Sequence, residues 1–167
     1  MPDPIIRTAR PDEYDEIGRV WMESWVSTGL AEASEFLLAN LRARIRREIE
    51  NGWCLFVADD NGTIAAMLAL HLPKLYLDML FVGPAYQGQS LGRQLLAFTR
   101  TQMPDEMYLR CVRENEKAWR WYERCVREGR DRAVEWVRDE VLSVEAAAAH
   151  RIDSDPGLQL AVVTIPP

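Results

Sequence analysis

A short loop between a predicted strand and a predicted helix carries the residues best suited to chemistry. Residues 75–82 are a mostly apolar run that ends in a Gly-Pro turn, and the loop that follows contains Gly88, Ser90 and Gly92 but no acidic residue. An amphipathic helix is expected to begin where the loop ends. Backbone N–H groups at such a helix N-terminus converge on one place, and the helix dipole favours negative charge there. The segment therefore predicts a phosphate-binding site.

The residues of this loop do not fit two common phosphate-binding motifs. A P-loop requires Lys and then Ser or Thr at this point, whereas Arg93 and Gln94 follow Gly92. A dinucleotide-binding fingerprint requires three glycines at fixed spacing, which Gly88 and Gly92 do not supply.

The segment instead resembles the acetyl-CoA pyrophosphate loop of the GCN5-related N-acetyltransferases (GNATs), whose pattern is Gln/Arg-x-x-Gly-x-Gly/Ala. Gln87, Leu91 and Gly92 match it, and Ser90 stands where the family normally has glycine. A serine hydroxyl could bind phosphate, but a positive φ would strain its backbone. The resemblance implies that the following residues contact acetyl-CoA: Met79, Leu80, Phe81 and Val82 at the pantetheine arm, and Gln87, Gly88, Gln89, Ser90, Leu91, Gly92 and Arg93 at the pyrophosphate. Arg93 could equally be a solvated arginine.

A second segment resembles the family pattern Asn-x-x-Ala-x-x-aromatic-Tyr-Glu. Its matching residues are Asn115, Ala118, Trp121, Tyr122 and Glu123. In acetyl transfer an amine attacks the thioester, an oxyanion forms and a thiolate departs, so a phenol near the sulfur can protonate the leaving group. The resemblance assigns this acid role to Tyr122 and a contact with the pantetheine arm to Asn115. On the helix alone, Tyr122 could equally be a packed aromatic residue.

The remaining candidates concern the acceptor amine. The amine must lose a proton, so a base or a water chain is expected. Asp78 could face the cleft as that base, or it could lie at a strand edge paired with an arginine. His71 has a suitable side chain, but it falls in a predicted hairpin loop, where a solvated histidine is the usual case. The first two helices of the family usually border the acceptor pocket, so Trp25 or Phe36 could line it, although such aromatic residues are more often core.

Hydrophobic periodicity predicts the elements that must position these residues. Strands are expected at residues 5–9, 53–58, 63–70, 75–82 and 107–112, and an Asn-Gly turn joins the second to the third. Helices are expected from a cap at Asp12 to Gly29, from a cap at Ser34 to Asn51, over 91–102, and from Asn115. This order matches the acetyltransferase fold through about residue 125, which implies an α/β (α+β) fold with a central mixed, mostly antiparallel sheet flanked by helices.

Residues 126–167 depart from the family pattern. Helical spacing and composition favour a helix here, on the basis of Val134, Val137, Val141, Leu142, Val144 and the alanines at 146–149. A turn is expected at 153–157 and a final strand at 158–165. One strand of the family would then be missing or replaced by a helix. The last strand could fill a sheet edge in its own subunit or in a partner's, or the tail could pack as an extra helix and leave the sheet short. We therefore predict a single domain over 1–167, with a recognisable core at 1–125 and a divergent segment with an atypical C-terminal helix at 126–167.

Composition limits the classes of function. The chain has 167 residues, a net charge of −6 and no Lys/Arg-rich run outside helix-like segments, which argues against nucleic-acid binding. Neither a signal-peptide core nor a membrane-spanning apolar run is recognisable. Cys54, Cys111 and Cys125 are odd in number and lack metal-ligand spacing, which is typical of reduced cysteines. A cytoplasmic protein without a metal and without a membrane partner is expected.

These observations predict a cytoplasmic N-acetyltransferase that moves an acetyl group from acetyl-CoA to a small-molecule or peptide amine, by direct attack in a ternary complex. A homodimer is one option for its assembly. The alternative is a non-catalytic acyl-CoA-binding or protein-interaction module on the same fold, for which Ser90 and the divergent tail are the arguments. The sequence does not choose among acceptor amines.

Overall fold

A computed structural model describes residues 3–112, 115–128, 133–137 and 158–164. Within these residues, strands form one mixed sheet in the order β1-β2-β3-β4-β5-β7-β6. All neighbouring strands are antiparallel except β4 and β5, which are parallel. The predicted mixed, mostly antiparallel sheet is confirmed. Its strands are β1 Ile5–Thr8, β2 Cys54–Asp60, β3 Thr63–His71, β4 Tyr76–Val82, β5 Glu106–Val112, β6 Ala133–Val137 and β7 Leu158–Thr164.

Helices cover both faces of the sheet, and each face has its own apolar core. The helices are α1 Tyr14–Val26, α2 Glu35–Glu50, α3 Leu91–Gln102 and α4 Glu116–Glu128. Strand β3 contributes to both cores: Met67 packs with residues of α1 and α2, and Leu68 packs with residues of α3. This explains why β3 reads as a nearly continuous apolar run, as expected for a strand that is covered on both faces.

The ends of the first helices test the capping predictions. Ser34 caps α2 as predicted, because its Oγ accepts a hydrogen bond of 3.0 Å from the Leu37 N–H. The predicted cap at Asp12 is wrong, because Pro11–Glu13 forms a 3-10 turn and α1 begins only at Tyr14. His71 is the last residue of β3 and not part of a loop.

The segment after α4 differs from the sequence prediction. Residues 133–137 form β6, which pairs antiparallel with β7, so the helical interpretation of Val134 and Val137 is wrong. Valine is β-branched and also favours a strand, and pairing with β7 decides between the two conformations. The predicted final strand is confirmed as β7, which lies between β5 and β6 of its own subunit. The expectations for Val141, Leu142, Val144, the alanines at 146–149 and the turn at 153–157 lie outside the described residues.

A buried carboxylate ties β1 to the start of α1. Glu13 is only 8% exposed, and its two carboxylate oxygens accept hydrogen bonds of 3.0 and 2.6 Å from the Arg7 guanidinium. A third bond, of 2.7 Å, comes from the Arg10 backbone N–H. The Arg7 guanidinium and this backbone donor lower the pKa of Glu13 from 4.5 to about 2.

We expect Glu13→Gln to lower the free energy of unfolding at pH 7 by about 1–3 kcal/mol, since bonds to a charged group are lost. A lowered pKa stabilises the folded state above the unfolded-state value of 4.5, and this stabilisation is lost as the pH falls toward about 2. The difference between variant and parent should therefore shrink over that interval in denaturant titrations. Asp12→Asn is the control, because the Asp12 side chain is 79% exposed. A constant difference down to pH 2 would contradict the ion-pair explanation.

No helix in the described part of the chain is long and apolar enough to cross a membrane.

Candidate active site

The two central parallel strands separate shortly after they meet. Strand β4 pairs with β5 only at Tyr76 and Leu77, although β4 continues to Val82. From residue 78 onward, the edge of β4 that faces β5 has no strand partner among the described residues. Its backbone N–H and C=O groups are therefore free to bind an extended ligand, as an added strand would bind.

A cavity of about 530 Å³ lies beside the end of β4 that follows this separation. Four parts of the chain contribute to it: the end of α1, the end of β4, the loop before α3, and one face of α4. The described residues that line it are Ser24, Ser27, Thr28, Leu80, Phe81, Val82, Tyr86, Gln87, Gly88, Ser90, Leu91, Gly92, Arg93, Asn115, Lys117, Ala118, Trp121, Tyr122 and Arg124. The cavity is large enough for a cofactor-sized molecule.

The loop before α3 presents a row of backbone donors to the cavity. Gly88 and Ser90 both have positive φ, at 76° and 66°. The Ser90 carbonyl accepts from the backbone N–H groups of Arg93 and Gln94, at 3.0 and 3.1 Å. The five N–H groups of residues 88–92 donate no hydrogen bond to any described residue. An anion that accepts from several of these donors would satisfy them.

Ser90 adopts the left-handed conformation that the sequence raised as a concern. Its φ of 66° and ψ of −4° are rare for residues other than glycine, asparagine and aspartate. The loop therefore keeps its shape in spite of the serine, at a backbone cost of about 1–2 kcal/mol. The Ser90 side chain does not cap α3.

Gly92 allows α3 to approach α4 closely. A Cβ atom at this position would lie 3.1 Å from Cζ2 of the Trp121 ring. Trp121 in turn packs edge-to-face on Tyr122, with 4.9 Å between the ring centroids. The loop and the Tyr122 side chain are thus connected through one aromatic ring.

Two side chains of the loop region hold it in place. The Gln87 amide donates to the Val82 carbonyl at 3.0 Å and to Ser27 Oγ at 3.1 Å. The Tyr86 hydroxyl donates to the Asp60 carboxylate at 3.0 Å, and burial together with this bond raises the pKa of Tyr86. The Gln87 side chain therefore joins the loop to the end of α1 and the end of β4.

Tyr122 and Asn115 reach the same cavity from α4. Tyr122 is 7% exposed. The Asn115 side chain accepts a hydrogen bond of 3.2 Å from the Ala118 N–H, so it caps the helix as well as lining the cavity. The structure thus brings two segments that are distant in sequence to one site.

Two predicted cofactor contacts do not line this cavity. Met79 packs against the core between the sheet and helices α1 and α2. The Gln89 side chain donates to the Ala85 carbonyl at 2.8 Å and therefore folds back on its own loop. Their backbone atoms remain on the β4 edge and in the row of donors, respectively.

The predicted base and acceptor-side residues also lie outside the lining. The Asp78 carboxylate accepts a hydrogen bond of 2.7 Å from the indole N–H of Trp53. Nε2 of His71 lies 3.1 Å from the Asn51 carbonyl. Trp25 packs against the α1/α2 core, and Phe36 is 78% exposed at the start of α2.

Several lining residues were missed by the sequence analysis, and each group has a periodic signal. Ser24 on the last turn of α1 and Ser27 and Thr28 just beyond its end recur at helical spacing, and Lys117 and Arg124 do so on α4. A search for polar residues on otherwise amphipathic helices could have found both groups. Tyr86 has no such signal.

The charges of the lining suit a polyanion. Arg93, Lys117 and Arg124 are cationic, and no Asp or Glu is among the described residues that line the cavity. Cationic side chains and backbone N–H groups are the donors that bind phosphate groups. In the part of the chain that the structure describes, no group of three or more His, Cys, Asp or Glu residues could hold a metal ion.

Comparison with known proteins agrees with this geometry. Residues 14–125 match the model of the acetyltransferase (GNAT) family. No curated protein matches the chain in sequence.

Solved structures with a similar fold include acetyltransferases. PaiA N-acetyltransferase from Thermoplasma acidophilum, solved in complex with coenzyme A, has a TM-score of 0.66 at 18% identity, with 98% of this chain and 99% of that chain covered. The apo form of YjaB from Escherichia coli has a TM-score of 0.64 at 20% identity, with 99% and 98% covered. PH1933 from Pyrococcus horikoshii has a TM-score of 0.69 at 16% identity, with 96% and 97% covered.

The matched residues contain both the loop before α3 and most of α4, which are the two segments that meet at the cavity. The structural matches extend over nearly the whole chain. The chain therefore belongs to the GNAT acetyltransferase family.

Proposed function

We propose that this protein is an N-acetyltransferase that transfers the acetyl group of acetyl-CoA to a primary amine by direct attack in a ternary complex. The observation that carries the proposal is one cavity that holds both a row of free backbone donors and the Tyr122 phenol. The first suits a pyrophosphate, and the second suits a thiolate leaving group. Binding of coenzyme A by the structurally similar PaiA supports the assignment of the cofactor.

Acetyl-CoA would bind as a substrate along the loop and β4. The N–H groups of residues 88–92 would hold the pyrophosphate, with Arg93, Lys117 and Arg124 as nearby cations. The free edge of β4 over residues 79–82 would hydrogen-bond to the amides of the pantetheine arm, and the Asn115 region would border the same arm. In this arrangement the thioester would lie near the point where β4 and β5 separate.

The reaction then needs two proton transfers. The amine nitrogen attacks the thioester carbonyl carbon, the new C–N bond forms, and the C–S bond breaks as the oxyanion collapses. A β4 backbone N–H would stabilise the oxyanion, and Tyr122 would donate its proton to the departing sulfur. The proton released by the amine would pass to Asp78 or to water.

The acceptor would enter from the side of α1. Ser24, Ser27 and Thr28 line this end of the cavity with hydroxyl groups. Hydroxyls can hydrogen-bond to an amine substrate without carrying a charge of their own. The proposed location is the cytoplasm, which the reduced state of Cys54 and Cys125, neither of them in a disulfide, supports.

Two measurements test the proposal in sequence. Acetyl-CoA at about 100 times its Kd should stabilise the protein by about 2.7 kcal/mol and raise Tm by roughly 5–10 °C. Release of free thiol should then be measured with a panel of polyamines, amino acids, aminoglycosides and peptide N-termini. Absence of a Tm shift at millimolar acetyl-CoA would refute cofactor binding. A Tm shift without thiol release for any amine would favour a non-catalytic acyl-CoA-binding module.

A further inference from the structure

Asp78 occupies an irregular position of the sheet. The register between β3 and β4 passes from Leu70 opposite Leu77 to Ala69 opposite Met79, so Asp78 is the extra residue of a β-bulge. It is also the first residue after the last pair between β4 and β5. Bulges redirect side chains and often lie beside active sites. This bulge places a carboxylate at the point where the two strands begin to separate.

One oxygen of the Asp78 carboxylate already accepts a hydrogen bond within the protein. Asp78 Oδ2 accepts the 2.7 Å bond from Trp53 Nε1, whereas Oδ1 accepts no hydrogen bond from the part of the chain that the structure describes. Asp78 is half-buried, and its carboxylate lies on the α1/α2 side of the sheet, where Trp53 belongs to the core. The bond therefore fixes the orientation of the carboxylate and leaves one oxygen available.

The Trp53 indole, which donates this hydrogen bond, is buried in the aromatic part of the core. Trp53 is 6% exposed and packs against Trp21 with 6.2 Å between ring centroids. Trp21 also packs against Phe81, which lines the cavity, at 5.7 Å. Burial and this contact restrict rotation of the Trp53 indole, which keeps its N–H directed at the carboxylate. The aromatic cluster thus connects the orientation of Asp78 to the wall of the cavity.

We infer that Trp53 is a positioning residue, which orients Asp78 so that its free oxygen takes the proton of the acceptor amine through one water molecule. A water is needed because Asp78 does not line the cavity, while Leu80, two residues or about 7 Å further along the strand, does. The amine loses a proton to the water, and the water passes a proton to Asp78 Oδ1. This inference rests on the proposed function and adds to it the residue that orients the base.

The test is a double-mutant cycle on kcat, measured with acetyl-CoA and the panel amine that gives the fastest thiol release. Asp78→Asn should lower kcat about 100-fold. Trp53→Phe, which keeps a smaller aromatic ring but removes the indole N–H donor, should lower it about 10-fold. The double variant should be no slower than Asp78→Asn alone, because Trp53 acts through Asp78. KM for acetyl-CoA should change less than twofold in each variant.

Phe56→Leu is the control for the loss of aromatic packing that accompanies Trp53→Phe. Phe56 lies on β2, which follows Trp53 in the sequence. Its side chain packs on the opposite face of the sheet, against Phe98, with 4.9 Å between the ring centroids. Its kcat should equal that of the parent protein, while its Tm falls by a similar amount to that of Trp53→Phe.

Four other outcomes would each contradict a different part of this inference or the proposed function. Multiplicative losses in the double variant would show that Trp53 acts independently of Asp78 and does not position it. An unchanged kcat in Asp78→Asn would show that Asp78 is not the base. A loss in Phe56→Leu as large as in Trp53→Phe would also reject positioning. Absence of thiol release by the parent protein with every amine would overturn the proposed function and this inference with it, whereas the first three outcomes leave the proposed function intact.

Discussion

Tyr122→Phe is expected to lower kcat by about 100-fold, which corresponds to about 2.7 kcal/mol of transition-state stabilisation. The substitution removes only the hydroxyl, so the ring should keep its edge-to-face contact with Trp121. Without an acid, the thiolate must leave unprotonated or take a proton from water. The Kd for acetyl-CoA, measured by calorimetry, should change less than threefold, because the pyrophosphate donors are backbone groups of another segment.

Tyr14→Phe provides the matched control for this experiment. Tyr14 opens α1, is partly buried against the α1/α2 core, and does not line the cavity. The same loss of a hydroxyl there should leave kcat unchanged. Equal turnover by Tyr122→Phe and the parent protein would show that Tyr122 is a packed aromatic residue and that another group protonates the thiolate.

Ser90→Asp is expected to raise the Kd for acetyl-CoA at least about 30-fold. The new carboxylate would stand among the free N–H groups of residues 88–92, where it would accept hydrogen bonds itself and repel the pyrophosphate. A like charge at a binding site costs at least about 2 kcal/mol. The same carboxylate lies at the N-terminus of α3, so the ligand-free variant should be slightly more stable than the parent protein.

Ser90→Asn separates the charge from the shape of the side chain. Asparagine tolerates the left-handed backbone at position 90 as aspartate does, but it carries no charge. Its Kd for acetyl-CoA should stay within about threefold of the parent value, and Ser90→Gly should behave similarly. Comparable affinities for the Asp and Asn variants would place the pyrophosphate elsewhere. Isothermal titration and thermal melts without ligand measure both parts of the prediction.

Local patterns in the sequence were sufficient to predict much of the fold and the loop before α3. The Asn-Gly turn between β2 and β3, the cap at Ser34 and the strand–loop–helix around Ser90 are each set by residues within a few positions of one another. The bounds predicted for α3, at 91–102, are those of the structure. Such features depend on backbone dihedral preferences and periodicity, which the sequence displays directly.

Local patterns could not predict the strand at residues 133–137 or the residues that line the cavity at the end of α1. Residues 133–137 fit a helix or a strand by composition, and only pairing with β7 selects the strand. The lining by Ser24, Ser27 and Thr28 depends on how the end of α1 lies over β4, which the Gln87 side chain helps to fix. Neither contact is between neighbours in sequence, so no local pattern contains it.

The sequence by itself determined the family, the small-residue loop before α3 and the segment that carries Asn115 and Tyr122. Tertiary structure decided that the two segments share one cavity, that β4 leaves β5 after Leu77, and that Asp78 is a bulge residue held by Trp53. The physical reason is the range of the interactions. Turns, caps and helical faces arise from neighbouring residues, whereas strand register, strand separation and side-chain orientation arise from pairings between distant parts of the chain.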